Sequence, residues 1–169
     1  MPSKPESKTI ICHDVRGKAY QAPLNKVHFR PGVYGVIIRN GKILLSPQWD
    51  GYDFPGGGME INETIEQALV REAYEETGYK VKIGKLVACY QSFFKSDSQK
   101  DYWNALCLYY TCTIQSGKIS TAGFDENEKV YAKAAEWIDI KKALKLKYYN
   151  TADSSQIIQA VFKKYAGKK

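Results

Sequence analysis

The sequence predicts an α/β fold, a sandwich of helices and mixed strands in one domain. Three observations carry that prediction. An Asn40-Gly41 pair lies between two apolar runs, a helical stretch from residue 64 to about 77 ends at Gly78, and two long aromatic and β-branched stretches follow at 81–94 and 102–114.

The elements follow in chain order. Residues 1–8 read as a loose tail before one domain over 9–169, and residues 9–15 as a short strand. Val33-Tyr34-Gly35-Val36-Ile37-Ile38-Arg39, then Asn40-Gly41, then Lys42-Ile43-Leu44-Leu45-Ser46 reads as a hairpin, because both central residues of a tight turn need positive φ. Residues 47–58 read as loop, and the helix after them runs from Thr64 to about Thr77, with Asn62 or Glu63 near its start. Gly78 supplies the left-handed residue that ends it. The strands at 81–94 and 102–114 are joined by a polar link over 96–101. A second polar loop covers 116–128, a strand 134–140, and a last helix 154–165 with Ile157, Ile158, Val161 and Phe162 on one side.

Composition narrows the function classes. The 169 residues are 44% hydrophobic and 25% charged, ordinary for one globular domain. No apolar run approaches the roughly 18–20 residues that span a bilayer, and the N-terminus lacks the apolar segment of a signal peptide. The expectation is a cytoplasmic protein with no membrane partner. Cys12, Cys89, Cys107 and Cys112 form no C-x-x-C pair and read as reduced thiols. His13 and His28 stand outside any metal-ligand pattern. The net charge of +7 gathers at Lys163, Lys164, Lys168, Lys169 and between Lys141 and Lys147. A solvated surface accounts for it better than a nucleic-acid partner, though charge alone does not choose.

The stretch from Phe54 to Tyr79 carries the chemistry. On a helix, Glu72, Glu75 and Glu76 share an arc of roughly 100°, where like charges at i, i+3 and i, i+4 destabilise by about 0.2–0.5 kcal/mol per pair. No lysine lies between Gly58 and Tyr79, and Arg71 is the one cation there. Ile65 and Leu69 project to nearly the same side as Glu72 and Glu76, so the acidic ridge borders the core. Two readings stand, a solvated acidic face or a site for a hard divalent cation such as Mg²⁺. The preceding Phe54-Pro55-Gly56-Gly57-Gly58 favours the second, since bare backbone at the helix entrance can approach a ligand closely.

Gly57, Glu63 six residues on, and Arg71-Glu72-Ala73-Tyr74-Glu75-Glu76-Thr77-Gly78-Tyr79 eight beyond that resemble the Nudix box, G-x5-E-x7-R-E-U-x-E-E-x-G-U with U bulky and apolar. Every fixed Gly, Glu and Arg is present. Ala73 is small for its position and Tyr79 aromatic where an aliphatic residue is usual, departures that bear on packing. The resemblance covers the motif over 57–79 and the order of elements over about 26–165.

The resemblance implies an α/β/α sandwich, a mixed sheet between helices, and hydrolysis of a nucleoside diphosphate linked to another group with Mg²⁺ or Mn²⁺. It implies Glu72, Glu75, Glu76 and the Gly57 carbonyl as metal ligands. Arg71 would orient the carboxylates and Glu63 would hold the loop to the helix. The general base would be Glu72, or Glu126 or Glu128 on the later acidic loop. Trp49 and Tyr52, placed before the box, are the candidates for gripping a small-molecule nucleotide. ADP-ribose enzymes of the family carry a proline about fifteen residues past the box. Here that neighbourhood is Phe93-Phe94-Lys95-Ser96, which points away from ADP-ribose and leaves a nucleoside triphosphate or related small nucleotide. A nucleotide-sensing module without catalysis and an RNA 5′-end or cap pyrophosphohydrolase are the alternatives. A homodimer is compatible with the resemblance.

Overall fold

The Asn40-Gly41 hairpin is present: β3 (Val27–Arg39) and β4 (Lys42–Gln48) pair antiparallel, with Ile38 opposite Ile43 and Arg39 opposite Lys42. Asn40 and Gly41 take φ of 51° and 72°, the paired positive values a two-residue turn needs. The computed structural model describes residues 8–14, 16–95, 101–124, 126, 128–149 and 152–166. Outside the described residues lie most of the expected tail, Val15, nearly all of the 96–101 link including Ser96, Asp125, Asn127, Lys168 and Lys169; the side chains of Glu128 and Lys164 lie outside them too.

The chain divides into two units, Met1–Pro31 with Gln91–Leu106, and Gly32–Tyr90 with Cys107–Lys169. The first contains β1 (Thr9–His13) and β2 (Ala19–Pro23), paired antiparallel from Thr9 opposite Pro23 to His13 opposite Ala19. The second strand of this hairpin was not expected from sequence, because Ala-Tyr-Gln-Ala-Pro has little β-branched character. The turn is set by Asp14, whose Oδ1 accepts from the Arg16 and Lys18 amides at 2.9 Å each. His13 and His28 are exposed strand residues.

The second unit is the expected α/β/α sandwich, built on a curled mixed sheet. β7 (Tyr79–Lys95) and β8 (Tyr102–Gly117) run longer than predicted, and within this unit the strand order is β7-β8-β3-β4. β4 next pairs with β5 (Gly51–Asp53), and β6 (Gly56–Gly58) pairs with β3. The region predicted as loop over 47–58 therefore holds the end of β4 and two short strands. Their Gly- and Pro-rich composition hides them, and pairing to β3 and β4 creates them. Gly56 shows why: at φ 145°, a methyl there would lie 2.1 Å from the Val33 carbonyl oxygen, so the close approach admits glycine alone.

Helix α1 (Ile65–Thr77) matches the predicted range to within one residue at its start, with Thr64 as its N-cap. Thr64 Oγ1 accepts from the Gln67 amide at 3.2 Å and Gln67 Oε1 accepts from the Thr64 amide at 2.9 Å, a reciprocal capping box. Gly78 ends the helix at φ 74°. Beyond β8 come α2 (Glu128–Tyr131), β9 (Glu136–Asp139), α3 (Ile140–Ala143) and α4 (Ser154–Ala166); α2 and α3, each a single turn, have no periodic signature and were missed. β9 lies on β4 with Ile43 opposite Ile138. Leu69 and Ala73 of α1 pack with Val33, Ile37, Leu44, Val81 and Cys112 in the core, and Ile157, Ile158 and Val161 bury the inner face of α4. No helix among the described residues is long and apolar enough to cross a membrane. The four cysteines are free, with Cys89 exposed and burial pushing the Cys112 thiol up to about 12.

Candidate active site

Arg71 organises the acidic ridge. Its Nε bonds to Glu63 Oε1 at 2.6 Å and NH2 to Glu63 Oε2 at 2.8 Å, a bidentate fork. NH1 reaches Glu72 Oε1 and Glu75 Oε2, both at 3.0 Å, and NH2 also donates to the Gly58 carbonyl at 3.2 Å. One guanidinium thus ties the glycine strand, the helix entrance and the last turns of α1. The Arg71 guanidinium holds the Glu63 carboxyl down at about 2, and Glu63, with Glu72 and Glu75, raises Arg71 further above its ordinary value.

Glu76 stands apart from that lattice. Its Oε2 accepts from Ser46 Oγ at 2.8 Å and from the Gly56 amide at 3.2 Å. Burial pushes its carboxyl well above the usual range, and the charges of Glu72 and Asp53 push the same way against those two donors. Sequence reasoning missed Ser46 and Asp53. A signal existed, because a serine interrupts the apolar run Ile43-Leu44-Leu45 at the point where β4 faces β5.

Gly57 lies against Glu72: a methyl on Gly57 would sit 2.6 Å from Glu72 Oε2. The glycine strand and the acidic ridge therefore share one small volume. Among the described residues no three acidic, histidine or cysteine side chains already close on one point, with Arg71 lying between Glu72 and Glu75 and Glu76 drawn toward Ser46. The donor set nonetheless suits a hard divalent cation: carboxylate oxygens crowd beside a glycine backbone, and burial sets a carboxylate in need of positive charge.

The acidic loop approaches the same helix end. The Ser120 amide donates to the Thr77 carbonyl at 3.1 Å, and a methyl on Gly123 would touch the Glu75 backbone at 2.6 Å. Glu126 follows three residues later, exposed and paired with Lys129 at 2.6 Å. Glu128 opens α2. Trp49 is exposed at the β4–β5 turn, stacked on Tyr131 with centroids 4.7 Å apart. Tyr52 is half-buried, and burial raises its phenol first, helped by the adjacent Glu136.

The NUDIX domain family matches residues 28–161. An ADP-ribose pyrophosphatase of Methanocaldococcus jannaschii is 31% identical over 157 residues, covering 84% of this chain and 86% of its own. A CTP pyrophosphohydrolase of Escherichia coli K12 is 43% identical over 65 residues, 35% of this chain and 48% of its own, so this chain spans under half of that relative. Among solved structures, an ADP-ribose pyrophosphatase from Streptococcus suis superposes with a TM-score of 0.60 at 16% identity, over 83% of this chain and 92% of that one, a likeness of fold. With Glu63, Arg71, Glu72 and Glu75 of the box joined by ion pairs and the family matched over most of the chain, this protein belongs to the Nudix hydrolases, enzymes that act on phosphoric anhydrides.

Proposed function

We propose that the chain, as one catalytic domain over 9–169 in the cytoplasm, hydrolyses the pyrophosphate linkage of a small nucleotide, a nucleoside triphosphate or another nucleoside diphosphate derivative, with Mg²⁺ or Mn²⁺. The observation that carries this is the arrangement around Arg71 and Glu76. Arg71 braces Glu63, Glu72 and Glu75 in one lattice, one positive charge against three negative ones, while Glu76 is held separately by uncharged donors. A solvated acidic face has no need of such bracing.

In this reading Glu72, Glu75, Glu76 and the Gly57 carbonyl hold the cation. Such an ion neutralises the pyrophosphate and lowers the pKa of an attacking water. Arg71 keeps the carboxylates in place, and Glu63 keeps Arg71 in place. The water's proton passes to Glu72, or to Glu126 or Glu128 on the loop laid against α1. Trp49 offers an exposed ring to the base, and Tyr52 is the weaker candidate because Glu136 engages its phenol.

The long match to an ADP-ribose pyrophosphatase and the absence of the family's proline beside Phe94 pull in opposite directions on the substrate. A panel assay decides. Purified protein with Mg²⁺ or Mn²⁺ is given nucleoside triphosphates, oxidised nucleotides, ADP-ribose, dinucleoside polyphosphates and nucleotide sugars. Released phosphate is read with and without added pyrophosphatase. Chelator-sensitive turnover of one class is expected and names it. Silence across the panel with Mn²⁺ still bound would overturn the small-nucleotide reading in favour of a sensor or an RNA 5′-end substrate.

A further inference from the structure

The geometry points to Ser46 as a positioning residue for the metal site, one that acts through Glu76 and presents a single oxygen of that carboxylate to the cation. The inference rests on the metal-dependent reading above and adds a residue that lies outside the box.

Ser46 lies on β4 directly after Ile43, Leu44 and Leu45, each fully buried, and is itself only 4% exposed. A hydroxyl in such a place is unfavourable unless it is hydrogen-bonded. Its partner here is neither the sheet nor a neighbouring turn. It is the carboxylate of Glu76, thirty residues away on the last turn of α1, at 2.8 Å.

The second donor to Glu76 comes from β6, which follows the β4–β5 hairpin in the chain. Ser46 faces Asp53 in the β4–β5 register, and three residues past Asp53 the chain offers the Gly56 amide at 3.2 Å. Both donors land on Oε2. Two hydrogen bonds to one oxygen fix the carboxylate's rotation and leave Oε1 as the oxygen available for a ligand. Gly56 cannot shift to compensate for a missing partner, because its backbone is pressed against Val33 and Tyr34 of β3. Ser46 is therefore the adjustable half of a two-donor seat. Its loss frees the carboxylate to turn about the remaining bond. Groups that orient metal ligands in this way typically control 10–100-fold of metal affinity.

The test is Mn²⁺ binding to the substrate-free protein, read by electron paramagnetic resonance of the free ion, together with metal-activation curves on the substrate identified by the panel. Ser46→Ala removes the hydroxyl, Ser46→Thr restores it, and Ser46→Cys keeps the volume with a poor donor. Thermal melts accompany each variant. The expected result is Mn²⁺ affinity weaker by about tenfold or more in Ser46→Ala, near wild type in Ser46→Thr, and a kcat at saturating metal within about threefold of wild type. Where Ser46→Ala fails to fold, Ser46→Cys decides by the same criterion. Wild-type affinity in the hydroxyl-free variants would overturn the inference, as would a well-folded Ser46→Thr as weak as Ser46→Ala, since packing would then be the cause. Wild-type protein that binds no Mn²⁺ would overturn the metal-dependent reading itself, and this inference with it.

Discussion

Arg71 and Glu63 meet as two parallel hydrogen bonds, 2.6 Å at Nε and 2.8 Å at NH2, so the guanidinium plane is fixed before it reaches Glu72 and Glu75. A lysine would bring the same charge without the fork. Arg71→Lys is therefore expected to keep the fold and lower kcat/KM at least about tenfold, roughly 1.4 kcal/mol of transition-state stabilisation. Steady-state kinetics beside a thermal melt check it. An unchanged kcat/KM would mean that positive charge alone suffices at this position.

The same pair makes stability depend on pH. Glu63 titrates at about 2 in the folded chain against 4.5 as its ordinary value. A depressed carboxyl stabilises the fold fully above the unfolded value and loses that contribution as pH falls through the folded one. With side chains 11% and 28% exposed, the pair lies between surface and buried cases, and Glu63→Gln should cost about 1–2 kcal/mol at neutral pH. The gap in melting temperature between wild type and Glu63→Gln should narrow from pH 4.5 down to about 2. A constant gap across that window would remove Glu63 as its source.

Two neighbouring glycines should fail differently. A methyl on Gly56 meets the Val33 and Tyr34 backbone at 2.1 and 2.7 Å, with φ at 145°. Backbone cannot yield cheaply, so Gly56→Ala is expected to destabilise by about 2–4 kcal/mol. The nearest atoms to a methyl on Gly57 are the carboxylate end of Glu72, at 2.6 Å. That end can swing aside, so Gly57→Ala should melt within a few degrees of wild type and lose about tenfold or more in kcat/KM. Equal melts for the two variants would count against this division of roles.

Glu76→Gln keeps the shape and removes the charge. Turnover is expected to fall at least about a hundredfold, roughly 2.7 kcal/mol of barrier, with the fold intact by circular dichroism. Wild-type-like turnover would take Glu76 out of the metal site.

Periodicity and spacing made much of this legible. The Asn40-Gly41 turn, the helix closed by Gly78 and the box residues are local signals, each written within a few positions of the element it specifies. What stayed hidden was non-local. β5 and β6 exist only through pairing with β4 and β3, and their glycines read as loop. Ser46 and Asp53 reach the site through strand register. The donors to Glu76 come from β4 and β6, thirty and twenty residues away, a distance that no helical or strand period encodes. The ion pairs of Arg71 were expected, yet its bond to the Gly58 carbonyl needed three dimensions.

Trp49 tests whether strain at the β4–β5 turn belongs to substrate binding. It takes φ 47°, a conformation bulky residues avoid, and is still 53% exposed. Its amide donates to the Tyr131 carbonyl at 3.0 Å, its ring stacks on Tyr131, and Tyr149 approaches edge-on with centroids 4.9 Å apart. Glycine would adopt this backbone without strain, so the ring is the feature of Trp49 to test. If the ring stacks on a base, a contact worth about 1–3 kcal/mol, Trp49→Leu should raise KM for the nucleotide about tenfold with kcat within threefold, and Trp49→Phe should recover most of the loss. A base-free substrate such as phosphoribosyl pyrophosphate should show no such difference. If the ring only braces the turn against Tyr131 and Tyr149, the Leu variant will melt earlier while KM for nucleotide and base-free substrate move together, and the base must then be sought elsewhere in the fold.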